Sequence, residues 1–197
     1  SKSYGDIQVY RDLDFEIVQN EKAVLMGENG AGKSTLLKIL AGAVPLDSGR
    51  IKLGHNVEIG YFSQTRLDVL HPENTVINEA FSAGSNISTE DMRSLLGVFL
   101  FRGDDVEKKV GVLSGGEKSR LILAKLLVNP PNFILLDEPT THLDIDAVEA
   151  LTNAFKSYQG TLCFISHDIF FVKEVATKVF EVKDGRIRKF EGGLDYY

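Results

Sequence analysis

The sequence predicts an α/β fold with a mostly parallel sheet, and three observations carry that prediction. The apolar run Ala23-Val24-Leu25-Met26 passes through a glycine-rich turn into Thr35-Leu36-Leu37-Lys38-Ile39-Leu40-Ala41, the strand–loop–helix order of a phosphate-binding P-loop. Phe133-Ile134-Leu135-Leu136 is a continuous apolar run, as in a parallel strand covered on both faces. A third buried strand, 162–165, follows an amphipathic helical stretch. Strands that alternate with helices in this way imply parallel pairing with right-handed crossovers.

Taken in order, the alternating Leu13, Phe15 and Ile17 within 7–17 predict a half-buried antiparallel strand. Asn20-Glu21 turns the chain into strand 23–26. The helix after the glycine-rich turn stops at Gly42, with Pro45 beyond it. Asp47-Ser48-Gly49 is turn chemistry ahead of a short strand at 50–53, and Val57, Ile59 and Tyr61 alternate in another strand that ends at Gln64. From 65 to 109 the strand pattern is lost. Asn74 or Thr75 caps a helix through Phe81, and Ser88-Thr89-Glu90-Asp91 resembles a capping box that opens a second one. This segment reads as a helical subdomain inserted between two parts of an α/β core, 1–64 and 110–197. Ser114-Gly115-Gly116-Glu117 then opens a helix to Val128, stopped by Asn129-Pro130-Pro131. A helix over 143–158, strand 162–165 and a short helix over 168–176 follow. A hairpin turning at Asp184-Gly185 ends the pattern.

Composition narrows the function classes. A chain of 197 residues with 43% apolar and 25% charged side chains is an ordinary globular domain with a sizeable core. Its net charge of −6 argues against a general nucleic-acid-binding surface. Cys163 is the single cysteine, so no internal disulfide framework exists, and its apolar neighbours predict an inert buried thiol. No apolar run approaches the roughly 18 residues of a membrane span, so no membrane insertion is expected. The chain opens without Met, inside what reads as a first strand, as expected of a piece of a longer protein.

The chemistry-bearing residues begin with Gly27-Glu28-Asn29-Gly30-Ala31-Gly32-Lys33-Ser34-Thr35. Its backbone N–H groups and helix N-terminus suit the phosphates of ATP. Lys33 would reach the β- and γ-phosphates, and the Ser34 hydroxyl would ligate Mg²⁺. Asp137, at the carboxyl end of its strand, is the expected Mg²⁺-organising carboxylate, and Glu138 could polarise an attacking water. Alone, such an acidic pair is a solvated strand end; with a P-loop upstream it becomes a site. Gln64 could reach the metal or the water, and His167, after strand 162–165, could contact the γ-phosphate. Tyr4 could stack on adenine. Without that company, each of the three would be an ordinary surface or core residue. Ser114, Gly115, Gly116 and Glu117 form a second anion-binding helix start, which one nucleotide does not require. It can serve a nucleotide held by another copy or another domain.

In this order, the P-loop, Gln64, Leu113-Ser114-Gly115-Gly116-Glu117, Asp137-Glu138, Asp144 and His167 resemble an ATP-binding-cassette (ABC) ATPase domain over essentially the whole chain. The resemblance implies a P-loop NTPase, RecA-like core with an N-terminal antiparallel β subdomain and a helical subdomain carrying the signature. It also implies head-to-tail dimers with a second ABC cassette, in the same protein or another copy, sandwiching two ATP molecules. Ser114, Gly116 and Glu117 would face the opposite nucleotide and Asp144, in the D-loop, would bridge the two sites. Glu138 would be the catalytic base and His167 the switch histidine. Leu113 to Leu121 and Asp137-Glu138-Pro139-Thr140-Thr141-His142-Leu143-Asp144-Ile145 are most similar to ABC-F proteins, cytoplasmic tandem-cassette ATPases of translation that act on the ribosome. Thr141 stands where that group typically has Asn, Ile169 where it often has Arg, and Leu194 where its C-terminal Gly-x-Tyr-x-x-Tyr pattern has the first Tyr. Tyr61-Phe62-Ser63-Gln64 and the short spacer before the signature lean toward the second cassette of the tandem. Two alternatives are a membrane transporter's nucleotide-binding subunit and a chromosome or repair ATPase. The 140–144 sequence and compact middle disfavour the first, and the lack of long coiled coils the second.

Overall fold

The computed structural model describes residues 1–63, 70–84, 86–191, 193 and 194. These form two compact units that do not follow chain order, one built from residues 1–61, 132–138 and 159–197 and the other from 62–131 and 139–158.

The first unit is organised by a sheet ordered β4-β5-β6-β3-β7-β8, comprising β3 (Lys22–Met26), β4 (Ile59–Ser63), β5 (Phe133–Asp137), β6 (Thr161–Ile165), β7 (Lys178–Lys183) and β8 (Arg186–Glu191). Strand β3 pairs in parallel with both β6 and β7, and β5 pairs in parallel with β6. All five β6 residues are buried, as the unbroken apolar run Leu162-Cys163-Phe164-Ile165 requires of four of them. Helix α1 (Lys33–Leu40) presents Leu36, Leu37 and Ile39 to a core shared with Leu25, Leu135, Cys163 and Phe180. Burial raises the Cys163 thiol pKa well above its ordinary range, so the thiol is inert. The β7–β8 hairpin turns at Asp184 and Gly185, both at positive φ, the geometry that matches strand twist and favours Asp-Gly.

At the N-terminus β1 (Lys2–Tyr4) and β2 (Ile7–Tyr10) form a separate antiparallel pair. The strand expected over 7–17 therefore ends at Tyr10. Leu13, Phe15 and Ile17 do alternate inward onto the core, and Phe15 meets Phe180 edge-on at 4.9 Å, but without a ladder. Alternation reports burial, and burial was satisfied here by side chains alone. The strand expected at 50–53 is absent: Ile51 and Leu53 are exposed, so no buried face specifies pairing there.

The second unit contains α2 (Val76–Phe81), α3 (Thr89–Val98), α4 (Gly115–Val128) and α5 (Ile145–Ser157), with two 3-10 turns ahead of α4. Thr75, Ser88, Ser114 and Asp144 cap these helices, each side chain accepting a backbone N–H three residues on. Met92, Leu96, Phe99, Phe101, Leu121 and Leu151 are among its buried residues.

Candidate functional site

In the sheet order β5-β6-β3, three parallel strands bring their carboxyl ends to one edge. The chain leaves β3 into the glycine-rich loop, β5 ends on Asp137-Glu138, and β6 is followed by Ser166-His167. Topology thus gathers residues far apart in sequence, as parallel α/β sheets do at ligand clefts.

The loop is braced from several sides. Gly32 caps α1 with φ +104, and its carbonyl accepts a 2.9 Å hydrogen bond from the Tyr10 hydroxyl of β2. A Cβ at Gly32 would stand 2.7 Å from Val9 Cγ1. Gly27, at φ +137, lies so close to β7 that a Cβ would overlap the Val182 carbonyl oxygen. Gly27→Ala is expected to destabilise the chain by at least about 2 kcal/mol, through backbone strain and overlap with a strand that cannot move aside. Its urea-unfolding midpoint measures this, and a wild-type midpoint would contradict the close approach.

Lys33 is nearly buried, and its ammonium donates to the carbonyls of Gly27, at 2.6 Å, and Glu28, at 2.9 Å. The cation is thereby held inside the curl of its own loop, where the phosphates are expected. The Ser34 hydroxyl donates to Asp137 Oδ1 at 3.1 Å, so the two expected Mg²⁺ ligands already touch. Both are hard oxygen donors, the type Mg²⁺ takes from proteins, and they fit an ion whose remaining ligands come from phosphate and water. Burial raises the Asp137 pKa above the ordinary range. Hydrogen bonds from Ser34 and Tyr61 and the charges of Lys38 and Lys33 only partly offset this.

Glu138 has a left-handed backbone, φ +53, uncommon for a residue with a side chain. Its N–H donates to the Ile165 carbonyl at 3.0 Å, and Oε1 lies 3.3 Å from His167 Nε2. Asp168 follows as the cap of α6 (Ile169–Val175), accepting the Phe171 N–H at 2.8 Å, which orients the turn bearing His167. Tyr4 lies on β1, 46% exposed as a residue, with the Lys2 ammonium 5.2 Å from its ring centroid. Lys2 and the Ser3 N–H are both bound to the Asp47 carboxylate, which anchors β1 to the turn after α1. Gln64 and the C-terminal Gly192, Asp195, Tyr196 and Tyr197 lie outside the described residues.

In the helical unit Ser114 and Glu117 form a reciprocal capping box: Glu117 N–H donates to Ser114 Oγ at 3.3 Å, and Ser114 N–H donates to Glu117 Oε2 at 2.8 Å. The Ser114 backbone N–H, and after it the Ser114 hydroxyl, which donates to the same Oε2 at 2.7 Å, hold the Glu117 carboxyl below its usual range. Among the described residues nothing from outside its own helix turn lies within 4 Å of a Cβ position on the exposed Gly115, whereas Gly116 packs on the His142 carbonyl. Asp144 caps α5 through Oδ1 and the Ala147 N–H at 2.8 Å.

The sequence reading missed Tyr10, Val9 and Val182, which shape the loop through hydroxyl, methyl and carbonyl groups far off in the chain. The Tyr10 aromatic signal is visible in sequence, but its target is not.

Residues 10–141 match the family described as ABC transporter. The chain is 45% identical over 186 residues to a putative ATP-binding protein YdiF of Bacillus subtilis, covering 94% of this chain and 29% of that protein. It is 40% identical to ABC transporter F family member 5 of Arabidopsis thaliana, covering 98% and 28%, and 39% identical to a probable ATP-binding protein YbiT of Escherichia coli O157:H7, covering 100% and 37%. The chain thus spans about a third of the length of these relatives. A dimeric structure of a post-hydrolysis state of the ATP-binding cassette MJ0796, bound to ADP and Pi, shares the fold. Its TM-score is 0.71 at 24% identity, over 93% of this chain and 90% of that one.

Proposed function

The chain belongs to the ABC family of ATPase domains, and we propose that it is one cassette of a longer ABC-F protein, an ATP-dependent dimerisation switch that acts on the ribosome in the cytoplasm. The observation that carries the catalytic part of this reading is the meeting of two pairs at one sheet edge, Ser34 with Asp137 and Glu138 with His167.

ATP would bind along Gly27 to Thr35, with Tyr4 offering its exposed ring to adenine and Lys33 turning from the Gly27 and Glu28 carbonyls to the β- and γ-phosphates. Ser34, Asp137 and Gln64 would hold Mg²⁺, which neutralises charge on the phosphate oxygens. Glu138 would orient and deprotonate the attacking water, while His167 steadies that carboxylate and meets the γ-phosphate. Little covalent chemistry is asked of the protein; positioning and charge do the work. The helix start at Ser114, Gly115, Gly116 and Glu117, of which Ser114 and Gly115 are exposed, would together with Asp144 receive the nucleotide of a second cassette. ATP then joins two cassettes head to tail, and hydrolysis to ADP and phosphate releases them. The domain plan in this reading is a single ABC domain, with 65–109 as its helical insertion.

The ABC-F assignment is supported by the F family relative and by the residues running from Thr140 to Asp144. It is tested with the intact parent protein carrying Glu138→Gln, with the matching change in any second cassette. When ATP is added to a lysate, the protein is expected to sediment with ribosomes, and not when ADP replaces ATP. Sedimentation with membranes would overturn the ribosomal reading in favour of a transporter subunit.

A further inference from the structure

We propose that Arg120 is a positioning residue that locks the D-loop to the signature turn, so that both edges offered to a second cassette move as one. The inference rests on the dimer reading above and adds a residue which that reading does not use.

Arg120 is the sixth residue of α4, which the signature turn opens. Its side chain is only 14% exposed, yet its guanidinium points to a carboxylate that is 66% exposed, Asp144, with Nη1 3.6 Å from Oδ2. The other Asp144 oxygen is occupied by the Ala147 N–H, so the two contacts fix the carboxylate in the D-loop from both sides. Behind it, the guanidinium carbon lies 5.7 Å from the centre of the buried Phe101 ring. Arg120 Nε is buried without a hydrogen-bond acceptor among the described residues.

As a stability device this arrangement is poor. A cation is withdrawn from water against an aromatic ring, one of its donors is unsatisfied, and its partner is long and half in solvent. An apolar residue would pack on Phe101 at lower cost. What the guanidinium adds is a link between two segments separated in sequence, and a second link runs alongside it. Gly116 approaches the His142 carbonyl so closely that a Cβ would stand at 3.0 Å, and His142 itself has φ +63. The signature turn and the D-loop therefore meet twice, once through backbone and once through charge.

The test is a double-mutant cycle in the intact protein that carries this cassette. Arg120→Gln removes the charge and keeps helix propensity; Asp144→Asn removes the partner charge and keeps an N-cap acceptor for Ala147. Each single variant is expected to lower kcat for ATP about five- to tenfold. The double variant should fall no further than the worse single, because the same link is lost once. ATP affinity at the P-loop, measured with a fluorescent ATP analogue, should stay within about twofold in Arg120→Gln, which a general loss of structure would not allow. Multiplicative losses, or wild-type kcat in either single variant, would overturn the link. If Arg120→Gln lowers the melting temperature, Arg120→Lys takes its place in the cycle, with the same lack of multiplicativity expected. Absence of ATP turnover in the wild-type protein would instead remove the ATPase reading, and this inference with it.

Discussion

Glu138→Gln is expected to leave ATP binding intact and to lower steady-state turnover about 10²–10⁴-fold, the range over which a positioned acid–base group accelerates a reaction. The substitution is isosteric. Gln retains the backbone N–H that donates to the Ile165 carbonyl and can still bond to His167, so the loop keeps its shape. What is lost is a carboxylate able to accept a proton from water. The backbone gives independent support for this choice of residue. At φ +53, Glu138 carries strain that Gly would avoid, of order 1–3 kcal/mol, and such strain gathers where side-chain placement outweighs stability. Steady-state ATPase assays and equilibrium nucleotide binding measure the two halves of the prediction. Turnover near wild type would remove Glu138 from the mechanism, and loss of binding would mean that its role lies in holding the loop.

The legible part of this site was the part encoded locally. The P-loop, the apolar strand before Asp137 and the capping residues Thr75, Ser88 and Ser114 each carry their structural reason within a few residues, and each was found where expected, whereas the capping roles of Asp144 and Asp168 were not anticipated. The Asp184-Gly185 turn belongs with them. What could not be read was long-range. Tyr10 sits beside Gly32 and Val182 beside Gly27 because of strand order and register, which no local pattern specifies. The missing strand at 50–53 failed for the opposite reason, since turn chemistry predicted an element that no partner buries. Glu79 is the clearest omission. In sequence it is one more acidic residue on a short helix; in the fold it is wholly buried.

Glu79 is expected to be the most costly position to truncate in the helical unit. Its carboxylate accepts from Lys125 of α4, from Asn74 Nδ2 at 2.8 Å and from the His71 backbone N–H at 3.4 Å, with His71 Nδ1 3.2 Å away. Glu79→Ala would strand the Lys125 ammonium, itself only 17% exposed, and leave Asn74 without its acceptor. Breaking a buried pair from one side costs about 3–5 kcal/mol, a large share of the roughly 5–15 kcal/mol that holds a domain folded. Replacing both members, as in Glu79→Met with Lys125→Met, removes the stranded charge and should recover most of that loss.

The pH dependence follows from the same contacts. Burial works to raise the Glu79 pKa, but the bonds from Lys125 and Asn74 outweigh it and hold the carboxyl below its ordinary 4.5. A depressed carboxylate contributes stability that is fully present above 4.5 and is lost as pH falls through the folded-state value. The gap between wild type and Glu79→Ala should therefore be widest near neutrality and narrow in acid. Urea-unfolding midpoints at pH 7 and below pH 4.5 measure it. A cost under about 1 kcal/mol at pH 7, or a double variant weaker than the sum of the singles, would show that the pair does not hold α2 to α4. The consequence reaches the site, because α4 is the helix that presents Ser114, Gly115, Gly116 and Glu117 at its start. With Glu79 intact, α4 carries a charge pair toward its far end and a capping box at its near end, where Ser114 and Glu117 sit.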